Sequence, residues 1–341
     1  MTNLKTFRAK NPGDLLAMVP QLLGFHPEDS LVLLTLGDAA ERFHARVDLP
    51  GDESGISEAV SMLSEVVRRS AVSRVVVVTY SDDHCISCEV TEALRRKLEA
   101  QGADVVEAIR ADGERWYSLT GCTEPCCPAQ GTSYDVTTHP LTAQSVLEGQ
   151  VVLGSRRELV ESLIGTDPEA IAAVEAASDL AMARFKAAAR HPLGPPAPQH
   201  AKVYLTGEGQ WVRERVSRYL GDGEPLDAED TGRLLVAMIA IDVRDVAWAE
   251  MTRKNAARHV QLWRAVVQRS PYDLMAAPAG LLGFAAWLSG DGALAWCAVE
   301  RCQEVEPDYR LAGLLASALA NAVSPAAWRP IDQADLTLFA S

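Results

Sequence analysis

Two groups of thiols have the spacing of metal ligands or redox partners. Cys85-Ile86-Ser87-Cys88 is a Cys-x-x-Cys pair, and Cys122-Thr123-Glu124-Pro125-Cys126-Cys127 gathers three more sulfurs. Zinc takes four tetrahedral thiolate or imidazole ligands, and turn-borne cysteine pairs supply that geometry. His84, beside the first pair, or His139 would complete such a set. The same residues also read as a redox dithiol, since a helix N-terminus stabilises a thiolate, although Asp82 and Asp83 oppose it by like-charge repulsion. A third reading is burial, with each cysteine a small hydrophobe and Cys126-Cys127-Pro128 shaping a turn. The spacing leaves all three open.

A second polar set is expected as a ligand pocket: His26, Asp29, Arg46, Asp48, Asp82 and Asp83, suited to a cation or a hydroxylated molecule. His26, Asp29 and Ser30 have the residue types of a nucleophilic triad. Three residues within five positions cannot easily face one another as nucleophile, base and orienter, so no catalytic residue is assigned. His44, Arg46 and Asp48 alternate with apolar residues, which also describes a solvated strand face.

These residues need elements to hold them. Val75–Tyr80, four valines followed by Thr79 and Tyr80, reads as a strand buried on both faces, and chemistry in open α/β sheets sits just past such a carboxyl end. Leu31–Leu36 reads as another strand, paired as a hairpin with the alternating run Phe43–Leu49. Asn11-Pro12-Gly13-Asp14 starts a helix that stops at Gly24. Helical spacing recurs at Ile56, Val60, Leu63, Val67 and at Val90, Leu94, Leu98; strands follow at 104–109 and around Trp116–Leu119. A hairpin at each end of a strand–helix alternation predicts an α/β domain with a mixed sheet over residues 1–153.

From 154 to 341 the patterns are helical, with a proline-rich connection at 191–199. Ser270-Pro271-Tyr272-Asp273 and Glu306-Pro307-Asp308-Tyr309 recur about 36 positions apart, a helical-hairpin period. Leu282, Gly283, Ala295 and Pro307 occupy the large, small, small and proline positions of a tetratricopeptide repeat. The expectation is an all-α helical-repeat domain resembling those repeats, its tryptophans serving as core.

Composition narrows function. The chain has 341 residues, a formal net charge of −14 and seven cysteines. No basic run offers the footprint that phosphate backbones require, and no stretch approaches the ~20 apolar residues of a membrane span. Arg213, Arg215 and Arg218 read as one solvated helix face. The start, MTNLKTFRAK, lacks a secretory h-region, so a cytoplasmic protein is expected, with thiols kept reduced. No phosphate-binding loop, dinucleotide fingerprint, His-Glu-x-x-His or Gly-x-Ser-x-Gly occurs.

PGDLLAMVPQLLGFHPEDSLVLL, RVDLP at Arg46–Pro50 and SLTGCTEPCCPAQGTSYD together resemble an actinobacterial family known as domain of unknown function 4192. The resemblance covers most of the chain and implies no activity. It makes His26, Pro27, Asp29, Ser30, Arg46, Asp48, Cys122, Cys126 and Cys127 family motif positions, while the Cys85–Cys88 pair falls outside the pattern. The function expected is binding or assembly through a helical-repeat groove, with a protein partner, self-association included. The alternative is a metal- or thiol-dependent enzyme at the carboxyl edge of the sheet, zinc being the cofactor.

Overall fold

The computed structural model describes residues 9–37, 43–70, 72–120, 130–147, 151–189 and 198–339. Its elements run α1 (Pro12–Leu23), β1 (Ser30–Leu36), β2 (His44–Asp48), α2 (Glu53–Arg69), β3 (Arg74–Tyr80), α3 (His84–Glu99), β4 (Asp104–Ala111), β5 (Arg115–Ser118), β6 (Thr132–Ser133), α4 (Pro140–Leu147) and α5 (Arg156–Glu161). Then follow α6 (Pro168–Ala189), α7 (Pro198–Asp222), α8 (Ala228–Ala237), α9 (Ile241–Ala249), α10 (Ala256–Val267), α11 (Ala276–Ser289), α12 (Gly292–Val305) and α13 (Arg310–Ala320). One compact unit holds Met1–Glu158 together with Ala320–Ala326, and a second holds Leu159–Leu319 with Ala327–Ser341.

The first unit is built on a mixed six-stranded sheet of order β2-β1-β3-β4-β5-β6, in which only β3 and β4 run parallel. A parallel pair needs a crossover, and α3 supplies it. Leu31, Leu33, Val75, Val77 and Ala108 form one face and bury against Ile56, Val60, Leu63 and Val67 of α2 and Val90, Leu94 and Leu98 of α3. The intervening residues Val32, Val76, Val78 and Ile109 are also buried. Successive side chains alternate across a strand, so both faces of the sheet are covered. β6 was not expected, because two hydroxyl residues in a polar loop carry no strand period.

Helix α1 begins as its sequence dictates: the Asn11 side chain accepts from the Asp14 N–H at 2.9 Å, Pro12 opens the first turn, and Gly24 closes the helix at φ 75°. The corner into β1 is set by Asp29, at φ 38°, whose carbonyl accepts the Leu49 N–H at 2.8 Å. Ser155 caps α5 through the Glu158 N–H at 3.2 Å, while Glu158 returns to the Gly154 N–H at 2.8 Å, one residue earlier than a capping box requires.

Among the described residues the second unit is built of helices and the turns between them. Gly232 of α8 lies so close to α6 that a Cβ there would stand 2.7 Å from the Ser178 backbone nitrogen. Helices α11 and α12 form a hairpin around Gly290 and Asp291, and a Cβ on Gly283 would meet the Ala295 carbonyl at 3.3 Å. Trp263 is fully buried, and Trp248, Phe284 and Trp328 form one aromatic cluster, with Phe284 4.8 Å from Trp328 and 5.4 Å from Trp248. Arg215 corrects the expectation of a solvated arginine face: its side chain is 5% exposed and pairs with Asp230 at 2.5 Å. The proline-rich connection lies outside the described residues except for the start of α7. Among the described residues no helix is long and apolar enough to cross a membrane.

Candidate functional site

Strand register places one residue from each strand in a single lateral row at the carboxyl end of β3 and β4. The pairs Asp48↔Ser30, Ser30↔Tyr80, Tyr80↔Ala111, Ala111↔Trp116 and Trp116↔Thr132 join across all six strands. Paired residues put their side chains on one face, the face opposite α2 and α3. The row therefore reads carboxylate, hydroxyl, phenol, methyl, indole, hydroxyl.

At one end, Arg46 Nε donates to Ser30 Oγ at 2.9 Å and its Nη1 meets Asp48 at 2.6 Å. This joins two residues of the expected pocket, although Asp48 is 85% exposed. The other members are not shown joining them. His26 uses its backbone N–H on the Leu153 carbonyl at 2.9 Å, and Asp29 turns the corner. Asp83 caps α3 by accepting the Ile86 N–H at 3.0 Å, and Asp82 is exposed beside it. His44 is half-buried, and desolvation lowers its pKa.

Mid-row, Tyr80 is 8% exposed, and its hydroxyl has no hydrogen-bond partner among the described groups. Burial first, then the nearby Tyr134, raises its pKa well above the usual phenol value. At the far end the row opens into a recess of about 370 Å³ between the first turn of α1 and strands β5 and β6. Its walls include Pro12, Trp116, Thr132, Ser133, Tyr134 and His139. His139 Nε2 lies 3.1 Å from Asp14 Oδ1 and ties the loop after β6 to α1. The Lys10 N–H, then the His139 contact working against burial, hold Asp14 below the usual carboxylate range.

The opposite face at this sheet end carries the thiols. Arg110, 6% exposed, pairs in register with Thr79, lies 4.1 Å over the Tyr117 ring and donates to the Ser81 carbonyl at 2.9 Å. It thereby fixes the turn from which α3 starts. Within α3, Cys88 Sγ approaches the two ring nitrogens of His84 at 3.6 and 3.7 Å, while Cys85 is exposed. The spacing is helical, because residues four apart are surface neighbours. Among the described residues no three His, Cys, Asp or Glu side chains gather as a metal site. Cys122, Cys126 and Cys127 lie outside the described residues.

Sequence reasoning missed Tyr80, Arg110, Trp116 and the Thr132-Ser133-Tyr134 wall. A cue was present: Pro12-Gly13 at the start of α1 and Thr132-Ser133-Tyr134-Asp135 before α4 both belong to the stretches that carry the family resemblance, and both line the recess.

No curated protein and no solved structure matches the chain. A family model does, over residues 12–326, which takes in both the sheet and the helical unit. The chain accordingly belongs to the family described as domain of unknown function (DUF4192).

Proposed function

We propose that the protein is a non-enzymatic binding and assembly protein, its helical unit serving as a tetratricopeptide-like platform for a protein partner in the cytoplasm. The observation that carries this reading is the α11–α12 hairpin followed by α13. Helix α12 ends at Val305, two residues before Pro307. The small residues Gly283 and Ala295 meet where paired repeat helices must approach closely, and Leu315 of α13 lies over Gly283. Stacked hairpins of this kind present extended surfaces to partner segments. On this segment Tyr272 at 55%, Trp296 at 37% and Leu314 at 65% exposure keep large apolar side chains at the surface. A photo-crosslinker at position 314 of the full chain should join it to a defined partner segment or to a second copy. Leu314→Glu at the same surface should abolish association measured by sedimentation velocity. A chain that stays monomeric and crosslinks to nothing refutes the reading.

One contact favours a second reading, a thiol- or metal-dependent enzyme at the sheet edge. A thiol beside an imidazole is the pairing used by nucleophilic cysteines, and His84 and Cys88 provide it. Zinc would require the loop cysteines in addition. Elemental analysis of the purified protein tests the metal. Alkylation of Cys88 faster than Cys85 and slowed in His84→Ala tests the thiol, and equal rates would remove it.

A further inference from the structure

We propose that the recess between α1 and strands β5 and β6 binds an uncharged pyranose-type sugar ring, stacked on Trp116 and held at its edges by Thr132, Tyr134 and Asp135. The volume, about 370 Å³, lies toward the lower end of small-molecule sites and suits one ring better than an extended chain. Strand pairing on both sides, to Ala111 and Thr132, fixes the backbone at Trp116 and sets its indole on the face of the row, where it lines the recess. The apolar CH face of a sugar packs on such a ring, while its hydroxyls need both donors and acceptors around the rim. Thr132, in register with Trp116, and Tyr134 supply hydroxyls that do both.

Asp135 supplies the strong acceptor. Its Oδ1 takes the Thr137 N–H at 2.8 Å and Oγ1 at 2.6 Å, and its Oδ2 takes Thr138 Oγ1 at 3.2 Å. These bonds lower its pKa and keep it ionised, and its side chain is exposed at the recess, where a ligand hydroxyl can share one of its oxygens. Tyr80 is a neighbour of the recess and not part of its wall. It occupies the same lateral row, separated from Trp116 only by the methyl of Ala111.

Charge excludes the alternatives. No lysine or arginine is among the described residues lining the recess, so a phosphate or carboxylate ligand would meet Asp135 uncompensated. A metal cation lacks its donors, since the described carboxylates and imidazoles there form no group of three.

The test uses the full chain with methyl glycosides of D-glucose, D-galactose and D-mannose, followed by calorimetry and saturation-transfer NMR. Glucose 6-phosphate and adenosine serve as counter-probes. At least one glycoside should bind saturably, and Trp116→Ala and Asp135→Ala should each weaken it by about 10-fold or more, near 1.4 kcal/mol. Should Trp116→Ala fail to fold, Thr132→Ala with Asp135→Ala carries the same comparison, because both positions are exposed. Three results overturn the proposal: no glycoside binding, binding undiminished in the variants, or tighter binding of glucose 6-phosphate or adenosine than of any glycoside.

Discussion

Arg110 shows how one residue organises a corner of the sheet edge. Its guanidinium is held between the Tyr117 ring and the carbonyls of Ser81 and Asp82, at 2.9 and 3.4 Å. Replacement by Met keeps the length and removes the donors, leaving the Ser81 carbonyl without this partner. We expect Arg110→Met to cost about 2–3 kcal/mol in urea unfolding, in line with loss of buried hydrogen bonds from a charged group. His259 gives a prediction in pH. It is fully buried, its Nδ1 accepts the Trp263 Nε1–H at 3.3 Å, and burial lowers its pKa from 6.5 to about 4. The unfolded chain takes up this proton near the ordinary value, whereas the folded chain refuses it until lower pH. Stability is therefore intact above about 6.5, declines as pH falls toward 4, and loses no more below that. The loss should reach about 3 kcal/mol at most. His259→Phe should flatten that part of the stability-versus-pH curve, and an unchanged slope would show the histidine is not its source. Sequence could point to His26 and Asp83 as polar but not to their use. A helix cap, such as Asp83, and a backbone corner, such as the one at Asp29, spend the residue on local geometry.

At the level of elements, close helix approach is carried by glycines, and the prediction concerns Gly232. Alanine is the better helix former by about 1 kcal/mol. A methyl group at Gly232, however, would stand 2.7 Å from the Ser178 nitrogen and 2.8 Å from the Ala177 carbonyl carbon, which are backbone atoms. Backbone cannot swing aside as a side chain can, so Gly232→Ala should destabilise by a net of roughly 1–3 kcal/mol despite its propensity. A gain in thermal midpoint would show that α6 and α8 are looser than described. At α1, Asn11→Ala removes the cap on the Asp14 N–H and should cost about 1 kcal/mol, readable in thermal unfolding. Helices and strands were legible here because their periods are written in runs such as Leu31–Leu36 and Val90–Leu98. The lateral row was not, because it depends on register. Tyr80, Ala111 and Trp116 become neighbours only once β3, β4 and β5 are paired, including the shift between Val75 and Val76.

At the scale of the molecule, the last residues belong to two bodies in turn. Trp328 donates Nε1–H to the Met251 carbonyl at 3.3 Å, and Gln333 donates to the Val246 carbonyl at 3.1 Å and to Glu250 at 2.7 Å. Trp328→Ala should lower helical-unit stability by about 2–3 kcal/mol, seen as an earlier transition in circular dichroism. The expected break near residue 153 treated the polypeptide as two consecutive segments, since nothing in a linear pattern announces a return. Yet Ala320–Ala326 rejoin the sheet unit, through Arg69 and Asn321 among other contacts, before the chain leaves again. Severing the polypeptide once therefore cannot yield two intact halves. A fragment stopping short of 320 robs the sheet of a piece encoded far downstream, and one starting at 159 drags that piece along without its host. During synthesis the ribosome delivers the last seven residues of the sheet unit only after Leu159–Leu319 of the helical unit have emerged, and the helical unit in turn waits for Ala327–Ser341, so neither body can close until the chain is nearly finished.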